Sequence, residues 1–110
     1  MATILDVVNS KKENLNNIIE YSTDSIVSKT IVKNNGGSAV AFAFDAGQAL
    51  SEHRSPVDAL VYIIEGKALI TISGNENEVN GGELIIMPAN YPHAVKAIEK
   101  MKMLLVMLKI

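Results

Sequence analysis

Cysteine is absent from the sequence. That excludes disulfide staples and thiolate zinc sites together, and it fits a reducing, cytoplasmic setting. Tryptophan is absent too, and Phe and Tyr make up only 5% of the chain, so aliphatic side chains and methionine must fill the core. Neither sign of charge dominates: ten Lys and Arg stand against twelve Asp and Glu, a net charge of −2. The basic residues are scattered singly apart from Lys11-Lys12, so no basic stripe follows a phosphate backbone and nucleic acid is not an expected partner. Apolar runs are short. Met103 to Leu108 falls far below the roughly 20 residues a membrane helix needs, and no membrane partner is expected. The segment from Met1 to Asn17 carries acidic residues and asparagines where a signal peptide has a basic start and a long apolar run, which points to a soluble intracellular protein.

What the chain does have is apolar material, 48% of its 110 residues. That is enough for the core of one domain of this size. There is no internal repeat, linker or low-complexity tract. Residues 1–24 read as an N-terminal arm. Ser10 and Glu13 have the spacing of a capping box, with Lys11, Lys12, Asn14 and Leu15 in a short helical turn that the following asparagines discourage. From Ser25 to Ile110 the pattern is β. Ser25 to Lys33 closes on Asn34-Asn35-Gly36-Gly37. In Ser38 to Asp45, Val40, Phe42 and Phe44 alternate with alanines, the period of two that gives a strand one bulky face. Further runs cover 59–65, 67–73, 76–79, 83–87, 94–98 and 101–110, separated by Glu65-Gly66, Gly74-Asn75, Asn80-Gly81-Gly82, Pro88 to Pro92 and Glu99-Lys100. Turns every eight to twelve residues, with no helix long enough for a crossover, predict an all-β antiparallel sandwich or barrel.

Within this pattern Gly47, His53 and Gly66 stand at the offsets of G-x5-H-x-H-x3-4-E-x6-G, and Gly82, Pro88 and His93 at those of G-x5-P-x-G-x2-H-x3-N. Both motifs, in order, resemble those of the cupin family. The resemblance covers Ser25 to Ile110 and implies an antiparallel jelly-roll barrel, a double-stranded β-helix of the RmlC-like, cupin 2 conserved-barrel type. Four motif positions differ: Ser55 stands for the second histidine, Ala59 for the glutamate, Asn90 for the middle glycine and Ala97 for the final asparagine.

The differences fall where the family holds its metal. In cupins with the full motif, three histidines and a glutamate bind Fe, Mn, Ni, Zn or another divalent ion. Here His53 and His93 are the surviving candidate ligands, so any such ion is expected to be weakly held. Asp58 and Glu52 are possible substitutes, but strand parity turns each away from the face of its neighbour unless a bulge or loop intervenes. The same parity places Ser55, Ala59, Val61 and Ile63 on the inward face with His53, and Val95 and Ala97 with His93. Met87 joins that candidate pocket, with Met101, Met103 and Met107 as pliable lining or core. Arg54 and Tyr91 flank the histidines at the mouth. The expected function is a barrel that binds a small molecule. The alternative is a divalent-metal-dependent enzyme of the dioxygenase or isomerase kind. A homodimer is expected, because Leu104, Val106 and Leu108 lie on the face opposite Met103 and Met107 and need cover.

Overall fold

A computed structural model describes residues 12–109. Nine antiparallel strands follow one short turn of 3-10 helix at Leu15–Asn17. They are β1 Ile26–Asn34, β2 Gly37–Phe44, β3 Ala49–His53, β4 Asp58–Glu65, β5 Lys67–Ile72, β6 Asn75–Asn80, β7 Leu84–Met87, β8 His93–Ala97 and β9 Met101–Leu108. Two sheets result, one ordered β1-β2-β9-β4-β7 and the other β3-β8-β5-β6. Most sequence neighbours therefore sit in different sheets or on opposite edges, the jelly-roll wrapping that lets two sheets share one core.

Alternation decides which side chains meet. Along β2 Phe42 and Phe44 turn inward, along β4 Val61 and Ile63, and along β9 Met101 and Met103. From the other sheet come Ala68, Ile70, Val95 and Ala97. Burying each large aliphatic side chain contributes roughly 1.5–3 kcal/mol, which makes this interior the main source of stability.

Among the described residues, left-handed backbone falls mostly on glycine, with Asp24, Ser73 and Asn90 as the other positions. Gly66 joins β4 to β5 with φ 87°, and a Cβ there would run into the Lys100 carbonyl oxygen. Asn90, at a motif glycine position, holds φ 70°. Asparagine is the residue after glycine that best tolerates that region, so the backbone shape survives the substitution.

The arm does more than precede the barrel. Asn14 caps the 3-10 turn through its side chain, accepting from the Asn16 N–H at 3.0 Å. The capping box expected at Ser10 lies outside the described residues. Beyond the turn Ile18 and Ile19 pack on Ala41 and Ala43, the small outer face of β2. Lys102, buried on β9, donates to the Asn16 carbonyl at 2.6 Å and lies 5.1 Å from the Tyr21 ring centroid. Tyr21 in turn donates to Glu65 at 2.7 Å. Burial, reinforced by that carboxylate, holds the Tyr21 hydroxyl well above its ordinary pKa.

One strand, β3, was not expected. Its partners on β8 are Leu50 with Val95 and His53 with His93, with a register shift between the two pairs. An extra residue is accommodated there, so Leu50 and His53 both face inward although three apart in sequence. The bulge breaks the period of two that identified the other strands.

Candidate functional site

His53 ends β3 and His93 begins β8, directly opposite in register, with Ile72 of β5 next in the same row. Their Nε2 atoms lie 3.1 Å apart and the rings meet edge to face, centroids 4.4 Å apart. His93 is buried at 3% exposure, whereas His53 opens toward solvent. Each Nδ1 sits on a backbone carbonyl: His53 on Ser51 at 2.8 Å and His93 on Tyr91 at 3.2 Å. A carbonyl only accepts, so each Nδ1 carries hydrogen and each neutral ring presents an Nε2 lone pair to the other. Two facing lone pairs are satisfied when one proton or one cation sits between them. Burial, and then the neighbouring His53, push the His93 pKa below its usual value, partly offset by the Tyr91 carbonyl.

The pair borders a cavity of about 270 Å³ between the two sheets. Ala59, Met87, Met103, Leu105 and Met107 of the larger sheet form one wall. Leu50 and Val95 face them, and Arg54, Ser55 and Pro56 of the β3–β4 loop complete the lining beside the histidines. Ala59 sits in a row between Met87 and Met107, where its single methyl leaves room. A more open hollow of about 330 Å³ lies where the β1–β2 hairpin meets β9, and none of the described residues lining it is ionisable.

Of the residues assigned to the candidate pocket, Ser55, Ala59, Met87 and Val95 border this cavity. Val61, Ile63 and Ala97 do not. They face inward but are fully buried in the packed core, because alternation fixes the face of a side chain and not its depth. Met103 and Met107 line the cavity, whereas Met101 is core. Arg54 is at the cavity, while Tyr91 contributes its backbone carbonyl and keeps an exposed ring. Leu50 was hidden by the bulge. Leu105 was legible, since it shares parity with Met103 and Met107.

A metal shell is only half supplied. With metal–nitrogen bonds of about 2.0–2.1 Å, an Nε2 separation of 3.1 Å corresponds to a nitrogen–metal–nitrogen angle of roughly 98°, suitable for two neighbouring ligands. Further donors are missing: among the described residues no group of three or more His, Cys, Asp or Glu converges. Asp58 is exposed and accepts from the Ala89 N–H at 2.8 Å, and Glu52 is exposed on β3. The described residues by themselves do not complete a metal shell.

A family model described as the cupin domain matches residues 40–108, which carry strands β3 to β9, most of β2 and both histidines. The chain belongs to the cupin family. A conserved protein of unknown function from Streptococcus pyogenes is similar over 100% of this chain and 96% of its own, at 36% identity and a TM-score of 0.91. A cupin 2 conserved barrel domain protein from Leptotrichia buccalis is 37% identical over 88% of this chain and 47% of its own, with a TM-score of 0.85. A cupin superfamily protein from Desulfitobacterium hafniense has the same fold at 24% identity, covering 90% of this cupin and 91% of that protein, with a TM-score of 0.85. No protein of curated function matches this cupin.

Proposed function

We propose that this cupin is a non-catalytic barrel that binds a small molecule, with His53 and His93 at the pocket. The carrying observation is the cavity of about 270 Å³, apolar along its walls and polar where the histidines, Arg54 and Ser55 gather. Apolar walls with a few converging polar groups are the usual makeup of a small-ligand site. A screen of small metabolites followed by methyl signals of Met87, Met103 and Met107 tests this. Ligands that stabilise the protein without moving those methyls would place binding elsewhere.

The alternative, a divalent-metal-dependent enzyme, draws support from the Nε2 separation alone. It requires a ligand or solvent to complete the shell. Metal content of untreated protein separates the two readings, since an enzyme of this kind would retain near-stoichiometric metal through purification.

The outer face of the larger sheet supports a homodimer. Val32, Ala39, Val106, Leu60 and Ile86 form one apolar row across all five strands. Leu84, Ile86 and Leu108 remain 57%, 47% and 58% exposed there, while Ile18 and Ile19 of the arm lie at the Ala41–Ala43 end. An exposed apolar face of this kind can meet its own copy across a two-fold axis, so the proposed occupant is a second copy. Sedimentation at high micromolar concentration should show a dimer that Ile86→Lys disrupts. A single species at 11.9 kDa would overturn it. Among the described residues no helix is long and apolar enough to cross a membrane. The absence of cysteine supports a cytoplasmic location.

A further inference from the structure

We infer that the ligand is a small carboxylic acid, its apolar body among the methionines and its carboxylate on Arg54 and Ser55. This rests on the proposed binding function and assigns the chemical class. Charge gives the first argument. Among the described residues that line the cavity, Arg54 is the one permanently charged side chain and none is Asp or Glu. A neutral ligand would gain only an ordinary hydrogen bond from that guanidinium where an anion gains a charge-assisted one, and a cationic ligand would be repelled by it.

The second argument is that the polar end is built before a ligand arrives. Arg54 Nη1 donates to the Asn90 carbonyl at 3.2 Å, and the Asn90 N–H donates to the Ser55 carbonyl at 2.7 Å. Asp58 holds the adjoining residue, accepting from the Ala89 N–H at 2.8 Å. These reciprocal bonds lock the β3–β4 loop to the segment between β7 and β8, with Asn90 in its left-handed conformation at the junction. Pro56 stiffens the same loop. Arg54 thus uses one of its N–H donors for anchorage and keeps others for an anion. Ser55 Oγ accepts from the Val57 N–H at 3.4 Å, which leaves its hydroxyl hydrogen to donate. Donors fixed in advance do not have to be ordered on binding, which favours affinity and selectivity.

Size completes the class. At about 30 Å³ per water-sized group, 270 Å³ holds roughly nine non-hydrogen atoms. That corresponds to a carboxylate on a body of about five or six carbons.

Hexanoate and cyclohexanecarboxylate, each paired with its amide of equal size, provide the test. Affinities are measured by calorimetry at fixed salt, and occupancy is read from the methyl signals of Met87, Met103 and Met107. Both acids should move those signals and bind about tenfold or more tighter than their amides, the usual worth of a charge-assisted contact. Arg54→Gln should erase that preference, and ligand-free methyl signals of Met87, Met103 and Met107 that match those of the parent show that the cavity is intact. Equal binding of acid and amide, or a preference that survives Arg54→Gln, overturns the carboxylic acid class while the binding function stands. Methyl signals that none of the four compounds moves at millimolar concentration overturn both.

Discussion

Ala59→Leu puts the cavity to a direct test, because it asks whether the space is real. Ala59 is almost buried, lines the cavity, and lies in register between Met87 and Met107. Leucine adds three carbons, which at about 30 Å³ each would take up about a third of the 270 Å³. Burying three carbons stabilises by about 2.4 kcal/mol at ~0.8 each. Fixing the leucine rotamer costs about 0.5–1 kcal/mol. The net gain is about 1–2 kcal/mol, or a rise in Tm of roughly 4–8 °C for a domain of this size. Val61→Leu is the control. It lies on the same strand and the same face but is fully buried in packed core, where one extra methylene costs about 1–3 kcal/mol through strain. Thermal unfolding of both variants should therefore move in opposite directions, and Ala59→Leu should weaken small-ligand binding. An Ala59→Leu protein destabilised as much as Val61→Leu would mean that the cavity is not available space, and the reasoning from its volume would fail.

Other expectations rest on single residues. Ser55→His with Ala59→Glu adds two ligand types beside His53 and His93; without metal it should be less stable than the parent, and Mn²⁺ or Ni²⁺ should raise its Tm well beyond any effect on the parent. An equal metal response would show that these four side chains do not converge. Because the folded state holds His93 below its ordinary value of 6.5, the unfolded chain binds the extra proton as pH falls. The His93 contribution to stability is thus present above about pH 6.5 and lost below it, and denaturant midpoints of His93→Gln between about pH 5.5 and 7 should lose that slope. Gly66→Ala drives a Cβ into the Lys100 carbonyl and should cost about 2–3 kcal/mol or more, whereas Gly74→Ala, with φ 82° but open space, should cost only about 1–2 kcal/mol of backbone strain. Similar losses in chemical denaturation would refute the close contact at Gly66.

The sequence made the architecture readable wherever alternation and turn chemistry agreed. Val40, Phe42 and Phe44 named the inward face of β2, and Gly66 and Gly82 marked turns that hold φ 87° and 89°. Two features escaped for different reasons. In β3 the bulge between Leu50 and His53 removes the regular period, so nothing in A-L-S-E-H announces a strand with two inward side chains. Along β2 the alanines were legible as a small face, but alanine is equally at home under solvent or under a covering segment. Only the tertiary structure shows Ile18 and Ile19 lying on Ala41 and Ala43. Depth was the remaining gap at the site. Parity treats Ala59 and Val61 alike, yet one borders a cavity and the other is core, because the distance between the sheets depends on every side chain between them.

The buried lysine beneath the arm has a consequence of its own. Two isoleucines on a strip of alanines make a surface without landmarks: attraction there is non-directional, and a shift along the strip changes the buried area little. Lys102 supplies a landmark. Its ammonium reaches a single carbonyl, that of Asn16, and its neighbour Tyr21 is tethered to Glu65. Sliding the arm by one residue would keep most of the greasy contact but strand a buried charge. The alanines and isoleucines thus set how strongly the arm adheres, and the lysine sets where it stops. Lys102→Met should leave the arm attached but able to occupy several positions, visible as multiple amide signals for residues 16–21.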